Sequence, residues 1–157
     1  ILASLAYKLP LINKLIRNID LSRFNQSFSL LLKSGVPVVE SLKISADTLS
    51  DQKTKDVIID LTKKVEAGAS LSGCLRDTKS YFPLTMVRMI SVGEKTGNLD
   101  TVLEDLANYY IKESEQSLQT IANLVEPILM FVIGVVIGGM VIAIIGPMYQ
   151  IVSQISK

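Results

Sequence analysis

Apolar residues recur along this chain in two patterns. Up to about residue 126 they fall at i, i+3 and i+4 steps between charged positions. From Ile128 to Ile145 they run for eighteen residues, ILMFVIGVVIGGMVIAII, without one strongly polar side chain. The first pattern predicts amphipathic helices. Leu21, Phe24, Phe28, Leu31 and Leu32 form one stripe, which Gly35 and Pro37 end. Val38, Leu42, Ser45 or Ala46, and Leu49 form a second. Asp51 is placed as the N-cap of a third helix, striped by Val57, Ile58, Leu61 and Val65 and stopped by Gly68. Ser70 caps a short fourth helix from Leu71 to about Asp77, and Pro83 sits in the first turn of a fifth with Leu84, Met86, Val87 and Ile90 inward. Gly97 is placed to end that helix in a left-handed conformation. Asn98 or Asp100 starts the sixth, which runs past Val102, Leu106 and Leu118 toward the apolar run.

No stretch alternates apolar and polar residues for long, so a sheet is not expected. Short connections make sequential helices antiparallel neighbours. The fold class that follows is all-α: an antiparallel six-helix bundle and then one C-terminal transmembrane helix. A helix over Ile128–Met148 would be about 30 Å long, the thickness of a bilayer's hydrocarbon core. Twelve of the eighteen residues are Leu, Ile, Val or Phe, together contributing about −4 to −7 kcal/mol to insertion before the glycines are counted. Pro127 removes one backbone hydrogen bond, to Asn123, and is expected to kink or pause the helix where it meets the membrane.

Charge refines this picture. The chain has sixteen Lys and Arg against fifteen Asp and Glu, and only Lys157 lies beyond Glu126. That distribution favours a cytoplasmic bundle, and its balance argues against a nucleic-acid partner. The segment before the bundle, apolar and then basic at Lys8, Lys14, Arg17 and Arg23, looks like the flank of a preceding membrane helix rather than a signal peptide. Residues 1–19 are accordingly expected to be the end of a membrane segment and a basic linker. Residues 20–126 are the bundle, 127–149 the transmembrane helix and 150–157 a short tail. The chain is read as the C-terminal part of a longer, multispanning protein.

Candidate chemistry is sparse. There is no His, and the single Cys74 lies between Leu71 and Leu75 as a small buried residue would. No metal site or cofactor is expected. The most distinctive local sequence is Gly93-Glu94-Lys95-Thr96-Gly97-Asn98-Leu99. Lys95-Thr96-Gly97 copies a penicillin-binding-protein motif, and Ser50-Asp51-Gln52-Lys53 fits its S-x-x-K partner. The context rejects this, because the motif closes a helix instead of lying on a strand and no S-D-N is present. Nor does a Gly-Lys-Ser/Thr follow, as a phosphate loop requires. The plain reading is a helix C-cap, a tight turn and a new N-cap. Gly134 and Gly138, with Gly139 beside them, place small residues on one face of the apolar helix. That spacing permits close helix packing, though glycines are also tolerated in membrane helices without it. Glu126 falls at the hydrocarbon edge, either solvated or with a specific partner.

In order, the chain shows Arg23-Phe24, Leu31-Leu32-Lys33-Ser34-Gly35-Val36-Pro37, Gly68-Ala69-Ser70-Leu71, Phe82-Pro83, Val92 to Leu99, and Glu126-Pro127. From about residue 5 to 150 this series resembles the inner-membrane platform proteins of type II secretion and type IV pilus machines. The resemblance implies the second cytoplasmic domain and last membrane helix of a protein with two related helical domains. It implies a non-enzymatic role at the base of the machine, in the bacterial inner membrane. The partners it implies are a cytoplasmic hexameric assembly ATPase, pilin or pseudopilin subunits, other inner-membrane components and further copies of the same chain in a homo-oligomer, besides membrane lipid. It also makes Glu94 and Lys95 the candidate partner contacts. The alternative is a membrane-anchored helical signalling or adaptor module. An enzyme is disfavoured, since no carboxylate pair stands apart from the charged surface.

Overall fold

The computed structural model describes residues 10–78 and 81–155, and every regular element among them is a helix. These are α1 (Pro10–Lys33), α2 (Val38–Ala46), α3 (Gln52–Glu66), α4 (Leu71–Asp77), α5 (Leu84–Thr96) and α6 (Leu99–Ile155). The chain divides into a compact unit ending at Ser117 and a second unit from Leu118 onward, so α6 contributes to both.

Three of the turns share one device. After α1, the Val36 N–H donates to the Leu31 carbonyl and the Gly35 N–H to Leu32, with Gly35 at φ 82°. After α3, Ala69 donates to Lys64 and Gly68 to Val65, with Gly68 at φ 94°. After α5, Asn98 donates to Gly93 with Gly97 at φ 74°. Each is a left-handed glycine closing a helix by a hydrogen bond that reaches back over its last turn. The N-termini are capped as the sequence predicts: Asp51 accepts from the Thr54 N–H at 2.9 Å and Ser70 from the Gly73 N–H at 3.2 Å. Pro83 stands one residue before α5, in extended conformation.

The core of the first unit takes one stripe from each helix. Phe24 and Phe28 of α1, Leu42 of α2, Ile58 of α3, Leu75 of α4, Met86 and Ile90 of α5, and Leu103 and Leu106 of α6 are all at most 1% exposed. Phe24 lies 5.9 Å from Phe28 and 6.5 Å from Phe82, in tilted ring contacts. Helix α1 runs antiparallel to α6. Lys14 pairs with Glu113 at 3.3 Å, the Ser22 hydroxyl donates to the Ala107 carbonyl, the Ser29 hydroxyl donates to the Asp100 carbonyl, and Lys33 pairs with Glu104. Small hydroxyl side chains between two helices let the backbones come close while their own polar groups stay satisfied.

At three places helix is more continuous than the sequence pattern suggests. Residues 10–19, expected to be a basic linker, are helical, being the first turns of α1. Residues 1–9, which carry the rest of that expectation, lie outside the described residues. The helix also runs through Pro127 without the expected pause; one missing N–H removes a single bond from a long ladder. Residues 150–155 of the expected tail are helical too, and 156–157 lie outside the described residues.

The conformation of Gly97 sets a test. No atom would lie within 4 Å of an added Cβ there, so the cost of a side chain is that of the left-handed backbone alone. Gly97→Ala is expected to lower stability by about 1–2 kcal/mol, and Gly97→Val by more. The check is thermal melting; an unchanged melting temperature would contradict the left-handed assignment.

Candidate functional site

The Gly93–Leu99 segment organises the surface where α4, α5 and α6 meet. Gly93 is buried, and a Cβ placed on it would stand 3.0 Å from Val102 Cγ2 and 3.1 Å from Leu99 Cα. This glycine is set by space, not by its backbone angles, and it brings α5 close against the start of α6. One residue on, the Glu94 carboxylate turns toward α4. One of its oxygens accepts from the Leu71 N–H at 2.7 Å; the other accepts from the Ser72 N–H at 3.1 Å and the Ser72 hydroxyl at 2.7 Å. These N–H groups begin a helix, where they have no acceptor of their own and where the helix dipole favours a negative charge.

The electrostatics follow from that geometry. Partial burial pushes the Glu94 carboxyl up, but hydrogen bonds from the Ser72 hydroxyl and the Ser72 and Leu71 N–H groups outweigh it, with Lys95 adding attraction. The net result lies below the ordinary glutamate value of 4.5. Lys95 itself is exposed, as are Thr96 and Gly97.

Other candidates fall in separate places. Gly35 and Pro37 form the α1–α2 turn, where the Pro37 carbonyl accepts from the Ser41 N–H at 2.9 Å. Glu126 and Pro127 are exposed on α6. Gly134 and Gly138 lie farther along it with no neighbour within 4 Å of an added Cβ. An eighteen-residue window of α6 has a mean hydropathy of 2.4 with none of it buried, which makes α6 long and apolar enough to cross a membrane. The Cys74 thiol is buried, and desolvation pushes its pKa up, away from the reactive thiolate.

Several structural side chains had no sequence signal of their own. Asp20 accepts from both the N–H and the hydroxyl of Ser50, at 3.1 and 2.8 Å, tying α1 to the turn before α3. Arg17 donates to the Tyr81 carbonyl at 2.7 Å. An open cavity of about 580 Å³ lies between these residues and Asp51. Its three charged walls are already engaged, Arg17 with Tyr81, Asp20 with Ser50 and Asp51 with Thr54.

A helical bundle followed by an apolar helix long enough to cross a membrane defines an all-α, membrane-associated class of protein. Residues 24–147 match the family model described as type II secretion system (T2SS), protein F. The chain is 32% identical over 147 residues to the type IV pilus assembly protein PilC of Myxococcus xanthus, covering 94% of this chain and 35% of that one. It is 30% identical over 152 residues to PilC of Thermus thermophilus, covering 97% and 37%. Identity to the type II secretion system protein F of Pseudomonas aeruginosa is 32% over 144 residues, covering 92% and 35%. The chain belongs to the type II secretion system protein F family, whose members serve secretion and pilus assembly machines. It spans about a third of the length of these relatives.

The landmarks that carried the resemblance meet in space in pairs. Phe24 packs on Phe82, and the Ser70-Leu71 turn is held by Glu94. Glu94 thus has an intramolecular job that its exposed, charged appearance in the sequence conceals. Glu94→Ala is expected to lower stability by about 1–2 kcal/mol, as loss of a helix cap does. Because its folded pKa is depressed, the stabilisation is complete above the unfolded value of 4.5 and is lost as pH falls through the folded value. Melting curves from neutral to acid pH should therefore converge for the wild type and Glu94→Gln. A constant gap between them at all pH values would contradict the assignment.

Proposed function

We propose that this chain is a non-enzymatic part of an inner-membrane platform that couples a cytoplasmic hexameric ATPase to the assembly of pilin or pseudopilin filaments. Family membership supports the machine. One observation carries the mechanical reading: α6 belongs to the folded unit up to Ser117 and supplies the apolar stretch beyond it. A partner acting on the bundle then acts on the same helix that anchors the chain. In this reading the bundle, which is rich in Lys and Arg, faces the cytoplasm. The adaptor alternative has no observation in its favour beyond the anchor itself.

Copurification tests the coupling. The full chain in detergent, mixed with the assembly ATPase encoded by the same organism, is expected to retain it through size exclusion at moderate salt. Elution of the two proteins apart would remove the ATPase from the reading.

Within the apolar helix, Gly134 and Gly138 lie one turn apart, and the missing side chains leave a shallow groove. In a bilayer the hydrophobic effect no longer draws helices together, so close packing decides association. The proposed occupant is another membrane helix of the platform, from the same protein or a second copy. Replacing both glycines with Ile should leave insertion intact and reduce crosslinked oligomers in membranes. Wild-type crosslinking in Gly134→Ile/Gly138→Ile would make the glycines passive.

A further inference from the structure

The outer face of α5 is not accounted for by the fold. Leu84, Arg88, Val92 and Lys95 stand at i, i+4, i+8 and i+11, within one narrow stripe of the helix. Leu84, which the sequence pattern placed inward with Met86, Val87 and Ile90, is 56% exposed, and Val92 is 58% exposed. At the start of this stripe a pocket of about 240 Å³ opens between Leu75, Phe82, Leu84 and Val87, with Arg76 at its side. Its walls are core residues: Leu75, Phe82 and Val87 are each at most 3% exposed. The depression therefore lies over the edge of the packed core, with its exposed lining supplied chiefly by Leu84 and Arg76, and it is about the size of one apolar side chain.

Charge on this face is one-sided. Arg76, Arg88 and Lys95 make no ion pair among the described residues, which they share with exposed cations elsewhere on the unit such as Lys43, Lys53 and Lys64. The one acidic residue of α5, Glu94, is turned inward and bonded to α4. On α4 only Asp77 offsets the three cations. A row of unpaired cations beside an apolar pocket is complementary to an acidic chain that carries an apolar anchor.

We propose that the outer face of α5, with the pocket between Leu75, Phe82 and Leu84, docks an acidic segment of a partner protein whose apolar side chain fills the pocket. The localised depression beside Leu84 favours a protein over a lipid surface, because a headgroup layer presents no single side chain to sit in it. The proposal rests on the platform reading only in supplying a cytoplasmic partner. It also separates the two candidate contact residues: Lys95 faces the partner, and Glu94 shapes the surface from within.

The test uses the full chain in phosphatidylcholine nanodiscs and fluorescence anisotropy. The probe is a labelled peptide with one phenylalanine flanked on both sides by glutamates, compared with the same peptide carrying lysines. The acidic peptide is expected to bind, and more weakly as salt is raised. Arg88→Glu is expected to weaken it by at least about tenfold, with Lys95→Glu acting in the same direction. Leu84→Asn should weaken it without changing the salt dependence, and Lys53→Glu on α3 should leave it unchanged. Equal binding of the two peptides, or wild-type binding by both Arg88→Glu and Lys95→Glu, overturns the proposal. Binding of phosphatidylglycerol vesicles without binding of the acidic peptide overturns it in favour of lipid. If the peptide binds as described while the assembly ATPase does not, the docking chemistry is upheld and the ATPase reading fails.

Discussion

A seven-residue helix cannot hold itself together in water, and α4 is such a helix. Its first N–H groups point at a carboxylate 22 and 23 residues away in sequence, and the arrangement of the bundle's second half depends on that contact. With Glu94 bonded to Leu71 and Ser72, α4 is fixed on α5, and Leu71, Cys74 and Leu75 are carried into the core. The next residue back, Gly93, lets α5 lie against Val102 and Leu99, so the same turn of helix fixes α5 on α6. Gly97 then reverses the chain. One short segment thus holds three helices by three different means: a charge at a helix end, a missing side chain and a left-handed turn.

The other side of α6 is held differently. Ser22 and Ser29 of α1 donate to its backbone carbonyls, with lysine–glutamate pairs near either end of the contact. The exposed ion pairs contribute little individually; the serines matter because they fill the seam without separating the backbones. Helix α6 is clasped by α5 on one flank and α1 on another, and it is also the helix that supplies the apolar stretch.

Much of this was legible in the residues. Helices α3, α4 and α5, the end of α1 and the starts of α2 and α6 lie within a residue or two of where stripe, cap and breaker placed them, because glycine at φ 82°, 94° and 74° and caps at Asp51 and Ser70 act through local chemistry. The unclear parts are long-range or depend on absence. Glu94 looks like any surface glutamate until Leu71 is brought beside it. Ser22 and Ser29 read as gaps in an apolar stripe, when they are the seam with α6. The early start of α1 was hidden because residues 10–20 mix apolar and basic positions without a sharp stripe. At Pro127 the helix continues through the missing hydrogen bond, because the ladder is intact on both sides.

The central claim is that Glu94 acts inside the bundle, on the N-terminus of α4, and that the most distinctive local segment of this chain is first a clasp. A double-mutant cycle on Glu94→Ala and Ser72→Ala, read by equilibrium unfolding of the full chain in detergent, tests it directly. The clasp predicts a coupling energy of at least about 0.5 kcal/mol, since each substitution removes the partner of the other. Strict additivity of the two effects would contradict it and return Glu94 to the surface.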